Sequence, residues 1–371
     1  MTAAEAQARA AVVEAGKRLL SRGLVERTWG NVSARVSETH FVITPSGMAY
    51  ETLRPQDLVL VDLRDRSWQG SRKPSSETGI HADAYRLRPE VGFVIHTHQP
   101  QASLCSTAGR GFSAEHPSLG GFVPCTAYGL PSTQTLRRAV KAQVLAHPDS
   151  PGFLLKSHGA LCLGRDAAEA FAVSEALEQV CEARVSAALP PLATPPLPDL
   201  GISRRSGPMF TLTRHGQDRI YRVSDLGLRG PAAIHAAIYR MTSAQAVFHS
   251  AAPETAAASW RRGPFRPMLD DLAQIAGAEI VTAEPKPTPI ACGLVACDAV
   301  MVRGLGALCT GATLEEARVV ASLLEKGARA WRYGTVTPGC GPLDRRDAWL
   351  MRLIYVTQYA KRRGKPDEKA H

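Results

Sequence analysis

No uninterrupted apolar run in this chain approaches the roughly 18 residues that a membrane-spanning helix needs, which argues against a membrane partner. A secretory leader is not expected either. The opening stretch MTAAEAQARAAVVEAGKRLLSRG mixes acidic and basic residues through its first turns and reads as an amphipathic helix. Both absences predict a soluble, cytoplasmic protein. The eight cysteines include no CxxC pair and no tight spacing, so a disulfide framework is excluded and reduced, mostly buried thiols are expected. Dense basic patches are scarce as well. The formal net charge is +10, yet Lys and Arg are scattered, and the one dense run is Lys361, Arg362 and Arg363. Nucleic-acid surfaces concentrate charge on one face, so nucleic acid is not the expected partner. A basic balance favours small anions instead, such as phosphorylated metabolites or acids.

With 371 residues, of which 44% are hydrophobic and 21% charged, the chain is of ordinary globular composition and too long for one typical domain. Residues 189–199 read LPPLATPPLPD, with five prolines. Proline fixes φ and removes a backbone donor, so this window is neither helix interior nor central strand and reads as a stiff linker. Similar segments lie on either side of it in the same order. GIHADAYR (79–86) resembles AIHAAIYR (233–240), FVIHTH (93–98) resembles AVFHSA (246–251), and HGALCLGRDAAEAFAVSEALEQ (158–179) resembles LGALCTGATLEEARVVASLLEK (305–326). Such self-similarity indicates a tandem duplication with a shortened second copy. The expected boundaries are a domain over 1–188, a Pro-rich linker over 189–208, a second domain over 209–335, and a C-terminal helix with a basic tail over 336–371.

Periodicity predicts helices over 4–22, 78–88 and 167–187, and short strands over 40–44, 58–62, 91–97 and 153–156. Strands and helices alternate, which predicts α/β architecture in helix–sheet–helix layers. The apolar continuity of VGFVI before His96 suits a sheet covered on both faces.

Alternate residues of a strand point the same way, so His96 and His98 in HTH present both imidazoles to one side where the chain leaves the core. His158 follows a second buried strand, FLLKS, and precedes Gly159. Three imidazoles brought together from two strand ends form a three-nitrogen site with an open position, which suits zinc or a similar divalent metal in a catalytic role. On its own, HxH in a strand is more often incidental. Residues 73–77 (KPSSE) end a loop at a helix start. Ser76 as N-cap and Glu77 as first-turn acid explain the pair structurally. The functional reading gives Ser75 and Ser76 to an anion and makes Glu77 a general acid/base. The loops Gly30-Asn31-Val32-Ser33 and Thr44-Pro45-Ser46-Gly47 read as turns, or as anion-binding loops around the same group. The repeat helps to weigh these readings. His81 matches His235 and is read as structural, and His96 matches His249. His98, His158 and Glu77, however, fall at Ala251, Leu305 and Pro231. The second copy cannot hold the same site.

On GNVS (30–33), TPSG (44–47), KPSSE (73–77), HTH (96–98) and HG (158–159), in that order, the first half resembles the class II aldolase/adducin family. That family includes fuculose-phosphate and rhamnulose-phosphate aldolases and ribulose-phosphate 4-epimerase. The resemblance covers roughly 5–187 and is weak over 209–335. It implies a three-layer α/β/α domain with a mixed, mostly antiparallel central sheet, here present twice in tandem. It also implies that His96, His98 and His158 hold Zn2+ (or Mn2+, Co2+ or Fe2+), that Glu77 is the catalytic acid/base, and that Gly30, Asn31, Ser46, Gly47, Ser75 and Ser76 bind substrate phosphate. The expected activity is that of a metal-dependent lyase of carbohydrate metabolism. It would cleave a C–C bond beside a carbonyl in a small, phosphorylated or acidic hydroxy-keto substrate through a zinc-stabilised enediolate. Alternatives are a decarboxylase or epimerase on the same metal centre and, from another class, a non-catalytic adducin-like assembly protein. One departure is visible. The aldolases carry a catalytic tyrosine, supplied by a neighbouring subunit, in the segment corresponding to Ala114–Gly121, where this chain has AEHPSLGG with Pro117 at the approximate match. Family members form fourfold rings, so a homodimer of tandem domains is the expected assembly.

Purified protein should bind about one divalent metal per chain, since only the first half carries the ligand set. Metal analysis should find His98→Ala empty and His249→Ala loaded; two ions per chain, or a loaded His98→Ala, would contradict the assignment.

Overall fold

A computed structural model describes residues 1–25, 29–193 and 196–359. The chain separates into two compact units, residues 1–188 with 337–340, and residues 189–336 with 341–371. The basic run Lys361–Arg363 lies outside the described residues.

The first unit begins with helix α1 (Ala3–Ser21), capped by the Thr2 side chain, which accepts the Glu5 N–H. Its strands are β1 (Asn31–Arg35), β2 (His40–Ile43), β3 (Val59–Asp62), β4 (Trp68–Gln69), β5 (Phe93–Thr97), β6 (Phe112–Ala114), β7 (Gly121–Val123), β8 (Gly152–Leu155) and β9 (Gly159–Gly164). The remaining helices are α2 (Thr78–Leu87), α3 (Pro100–Ser106), α4 (Gln134–Ala146) and α5 (Ala167–Ala188). Seven strands form one sheet in the order β4-β3-β2-β1-β5-β9-β8, every adjacent pair antiparallel, while β6 and β7 form a separate ribbon. Phe41 and Ile43 of β2 and Val59 and Val61 of β3 pack with Ile80 and Tyr85 of α2 and with Leu136 and Val140 of α4. On the opposite face, α1 packs on β1 and β2, and α5 packs on β9 and α3. Helices therefore cover both faces, which explains why β5, β8 and β9 are buried at every position.

The second unit contains β10 (Ile202–Ser206), β11 (Met209–Arg214), β12 (Gln217–Arg222), β13 (Ala246–Ser250), β14 (Thr282–Ala283), β15 (Ala299–Val302) and β16 (Gly306–Gly311). Its helices are α6 (Gly230–Met241), α7 (Pro253–Ala258), α8 (Asp270–Ala276), α9 (Pro287–Gly293), α10 (Leu314–Val336) and α11 (Arg345–Ile354). The sheet order is β12-β11-β10-β13-β16-β15-β14, antiparallel except for the parallel pair β14–β15. Helices α6 and α9 share a core with Phe210, Leu212, Val300 and Leu308, and α10 covers the other face over β13 and β16. Among the described residues no helix is long and apolar enough to cross a membrane, and no disulfide forms.

The segment expected to run as linker through residue 208 ends earlier. Residues 202–206 are β10, hydrogen-bonded between β11 and β13, so the second sheet begins before residue 209. The sequence ISRRS gives no apolar alternation; the two flanking ladders make it a strand.

Gly159 and Gly306 open the last long strand of each sheet where it crosses beside the central one. A Cβ on Gly159 would lie 2.1 Å from the Thr97 carbonyl oxygen, and one on Gly306 2.1 Å from that of Ser250. Gly159→Ala and Gly306→Ala should each lower stability by about 1–3 kcal/mol, the usual cost of overpacking. Urea denaturation that matches the unsubstituted protein would disprove the close approach.

Candidate metal centre

The site begins with register. β1 lies against β5 with Asn31 opposite His96, and β9 lies on the other side with Leu161 opposite His96. This places His96 at the end of a buried central strand, with His98 two residues on. His158 sits in the tight turn between β8 and β9. There the Ser157 backbone takes φ +59° and the His158 N–H donates to the Leu155 carbonyl. His96, His98 and His158 are all buried, and their ligand nitrogens lie within 4.8 Å of one another. The ring centroids are 5.1 Å apart for His96–His98, 4.9 Å for His96–His158 and 4.5 Å for His98–His158.

A backbone hydrogen bond sets the chemistry of His96. Its Nδ1–H donates to the Ala160 carbonyl at 2.8 Å, which leaves Nε2 as the nitrogen that faces the cluster. That Nε2 lies 3.1 Å from His158 Nε2. Glu77 Oε2 approaches His96 Nε2 at 3.1 Å, and Glu77 Oε1 approaches His158 Nε2 at 3.3 Å. Ligand nitrogens around a tetrahedral zinc stand roughly 3.3 Å apart. Convergent lone pairs at this spacing, beside a buried carboxylate, fit a divalent ion. Burial alone would push the Glu77 carboxyl up. Neighbouring His96 and His158 outweigh that cost and hold it well below the usual carboxylate range, so Glu77 rests as an anion.

What aims Glu77 is a buried hydrogen-bond chain. The Asn31 amide Nδ2 donates to Glu77 Oε2 at 3.1 Å, and Asn31 Oδ1 accepts from His81 Nε2. His81 Nδ1 lies 2.7 Å from Ser33 Oγ, which lies 2.7 Å from the Tyr85 hydroxyl. Asn31 Oδ1 can only accept, so Nε2 carries the His81 proton, Ser33 donates to Nδ1, and Tyr85 donates to Ser33. Burial, with a smaller push from His96, lowers the His81 pKa to about 3, so the ring stays neutral and this direction is kept. Sequence reading took His81 as purely structural because the repeat shares it. The repeat does copy Ser203, His235 and Tyr239 at similar spacings, but there His235 Nε2 donates to the Leu200 carbonyl, and no side chain leads onward. The signal separating the two was Asn31 itself, which has no counterpart amide in the second unit.

The other expected residues divide. Gly30 takes φ +93°, and a Cβ there would lie 2.5 Å from the His96 carbonyl oxygen, so close strand approach requires glycine. Ser46 N–H donates to Lys73 O and Ser75 N–H to Thr44 O, which joins the TPSG and KPSSE loops beside a Pro45–Pro74 bridge. Ser76 does not cap α2 as expected. Ser75 Oγ instead accepts the Glu77 N–H at 3.3 Å, while Ser76 is exposed and pairs with Ser132. Gly47 is exposed at φ +75°, and no described hydrogen bond joins Gly47 or Ser76 to the histidines.

In the second unit His249 cannot serve as a ligand. Its Nδ1 accepts the Leu200 N–H at 3.1 Å, and its Nε2 donates to the Leu305 carbonyl at 2.7 Å.

A family model described as Class II Aldolase and Adducin N-terminal domain matches residues 10–185 and 224–331. Similar solved structures include an L-fuculose 1-phosphate aldolase at 26% identity, covering 49% of this chain and 86% of that one with a TM-score of 0.46. YgbL from Klebsiella pneumoniae is 26% identical, covering 49% and 89% with a TM-score of 0.42. The L-fuculose-1-phosphate aldolase from Thermus thermophilus is 26% identical, covering 49% and 97% with a TM-score of 0.41.

The matched triads offer a controlled comparison. His81→Phe and His235→Phe should both lower stability, because each strands a buried serine hydroxyl and a carbonyl-type acceptor. Only His81→Phe should also disturb the surroundings of a bound ion, seen as a shift of the visible bands of the cobalt-loaded protein, because a second partner orients the groups beside it. Cobalt titration followed by absorbance measures this; a His81→Phe spectrum equal to that of the unsubstituted protein would show that the chain from Tyr85 to Asn31 does not aim Glu77.

Proposed function

The chain belongs to the class II aldolase and adducin family, and from that premise we propose that its first unit is a divalent-metal-dependent lyase acting beside a carbonyl in a small anionic hydroxy-keto substrate. The observation that carries this reading is the buried Glu77 carboxylate within 3.3 Å of two imidazole nitrogens of a three-histidine cluster. His96, His98 and His158 are the residues that would hold the ion. A divalent ion there supplies Lewis-acid polarisation of a substrate carbonyl and its adjacent hydroxyl. Glu77 moves the proton at the neighbouring carbon. As an anion it accepts that proton in bond formation, and once protonated it returns the proton to the same carbon in cleavage. Asn31 and His81 keep its carboxylate aimed through both states. The paired loops carrying Ser46 and Ser75, with Gly30, Gly47 and Ser76, are assigned to the substrate's anionic group, for which the adjoining N-terminus of α2 is electrostatically suited.

A second reading, decarboxylation on the same centre, is favoured by one observation. The 114–121 segment holds a short 3-10 turn at Pro117–Leu119 and no tyrosine, so no phenol from it is available to exchange a proton with a departing aldehyde. Loss of carbon dioxide needs no such exchange. The second unit is assigned the role of a degenerate copy that completes the assembly, with two chains supplying four domains. An adducin-like protein without catalysis would need no metal, and metal analysis separates it from both enzyme readings.

Glu77→Gln should keep the fold and the bound metal while lowering turnover by roughly 10²–10⁴-fold, the range for loss of a general acid/base. The assay is release of an aldehyde or carbon dioxide from a panel of phosphorylated ketoses and hydroxy-keto acids, run beside metal quantification. Near-normal turnover would return Glu77 to a helix-start acid.

A further inference from the structure

The second unit carries a feature that the lyase reading does not use. Register aligns its loops with those of the first unit. Ser203 pairs with Leu212 across β10–β11 as Ser33 pairs with Ile43 across β1–β2. Counting on, Arg214, His215 and Gly216 stand where Pro45, Ser46 and Gly47 stand, and Gly216 at φ +74° repeats Gly47 at φ +75°. The His235 and His81 triads likewise put Arg229 in the place of Ser75 and Pro231 in that of Glu77. Arginine thus stands at the places of Pro45 and Ser75.

Arg214, His215, Arg229 and Pro231 line a cavity of about 300 Å³ with Gln217, Arg219 and Tyr221. Pairing across β11–β12 explains why. Leu212 faces Arg219, Arg214 faces Gln217 and Phe210 faces Tyr221, so all six share the side of the sheet that α6 covers. Phe210 and Leu212 fill the core beneath the helix; toward its N-terminus the same face turns to arginine. The lining holds three guanidinium groups and no carboxylate. Arg214 is anchored through Nε to the Asp199 carbonyl, which leaves its outer nitrogens for a ligand. No described hydrogen bond or ion pair holds the guanidinium of Arg219 or Arg229. Two neighbouring acids already have partners, and Asp199 also stands 3.8 Å from the ring of the lining residue His215. Asp199 accepts the Gly201 N–H at 2.7 Å and the His215 N–H at 3.4 Å, and Asp218 accepts from Thr213 on the opposite face. Arg219 and Arg229 are exposed and Arg214 is half-buried, so their N–H donors are open to an oxyanion, which offers several acceptor oxygens for paired, charge-assisted hydrogen bonds.

We propose that this cavity of the second unit binds the phosphate group of a small molecule. The cavity has room for a phosphate and a few carbon atoms, and Tyr221 and Gln217 are placed to contact the organic part. With Pro231 in the position of Glu77 and no counterpart of the three-histidine cluster, the site is assigned binding and not turnover. The inference does not rest on the lyase reading, since none of its residues belongs to the metal centre.

Calorimetric titration of the full chain tests it, with inorganic phosphate and glycerol 3-phosphate as probes and sodium chloride at matched ionic strength as reference. Because the first unit is itself assigned an anion site, the variants are compared pairwise. Arg219→Gln/Arg229→Gln should weaken one phosphate-binding event at least about tenfold, in keeping with loss of charge-assisted hydrogen bonds, whereas Ser75→Ala/Ser76→Ala should leave that event intact. Arg219→Lys/Arg229→Lys keeps the charge and loses the paired donors, and should fall between. Unchanged metal content and thermal unfolding establish that the arginine variants are folded. Phosphate binding equal in the unsubstituted protein and the glutamine variant, or heat effects reproduced by chloride, would overturn the proposal.

Discussion

The hydrogen bond from His96 Nδ1–H to the Ala160 carbonyl ties the three-histidine cluster, the candidate metal centre, to the middle of a buried sheet. It forms only when β5 and β9 are in the observed register, with His96 opposite Leu161 and Thr97 opposite Ala160. A one-residue slip would turn every β5 side chain to the other face, which helices on both sides forbid. A second ladder, β1 against β5, sets Asn31 opposite His96 on the other flank. The orientation of the His96 ring and the position of the His158 turn follow from the first alignment, and the support of the Glu77 carboxylate from the second.

The two units show how little of a scaffold has to change for its chemistry to go. Ser33–His81–Tyr85 and Ser203–His235–Tyr239 are both fully engaged, as buried polar groups must be. The chains differ at their open end. In one unit the imidazole proton goes to an amide that orients a carboxylate; in the other it goes to a main-chain carbonyl. His249 likewise keeps the place of His96 but commits both nitrogens to backbone groups. His235 and His249 are satisfied where they stand, so the fold loses nothing when Ala251 and Leu305 occupy the places of His98 and His158. The loops then carry arginine where the first unit carries proline and serine. In this second unit, part of the chain's excess positive charge is gathered at one cavity.

Much of the architecture follows from local pattern. The helices at 3–21, 78–87 and 167–188 and the strands at 40–43 and 59–62 lie within two residues of their expected bounds, because apolar spacing and proline stops are local properties. The period of two in HTH alone puts His96 and His98 on one side, and the lost residues of the second copy mark His158 and Glu77 as special. Other features depend on residues distant in the chain. Strand β10 is polar and becomes a strand only between two ladders. Ser75, not Ser76, meets the Glu77 N–H because the KPSSE loop is pinned against Thr44. The 3.1 Å approach of His158 to His96, the passage from Tyr85 to Glu77, and the gathering of Arg214, Arg219 and Arg229 all require strand pairings between segments far apart in sequence. Periodicity records which face a side chain takes, and so the sequence by itself determined the elements and the candidate residues. Which face meets which partner is decided by long-range pairing and the exclusion of water, and so only the tertiary structure decided the geometry that makes those residues a site.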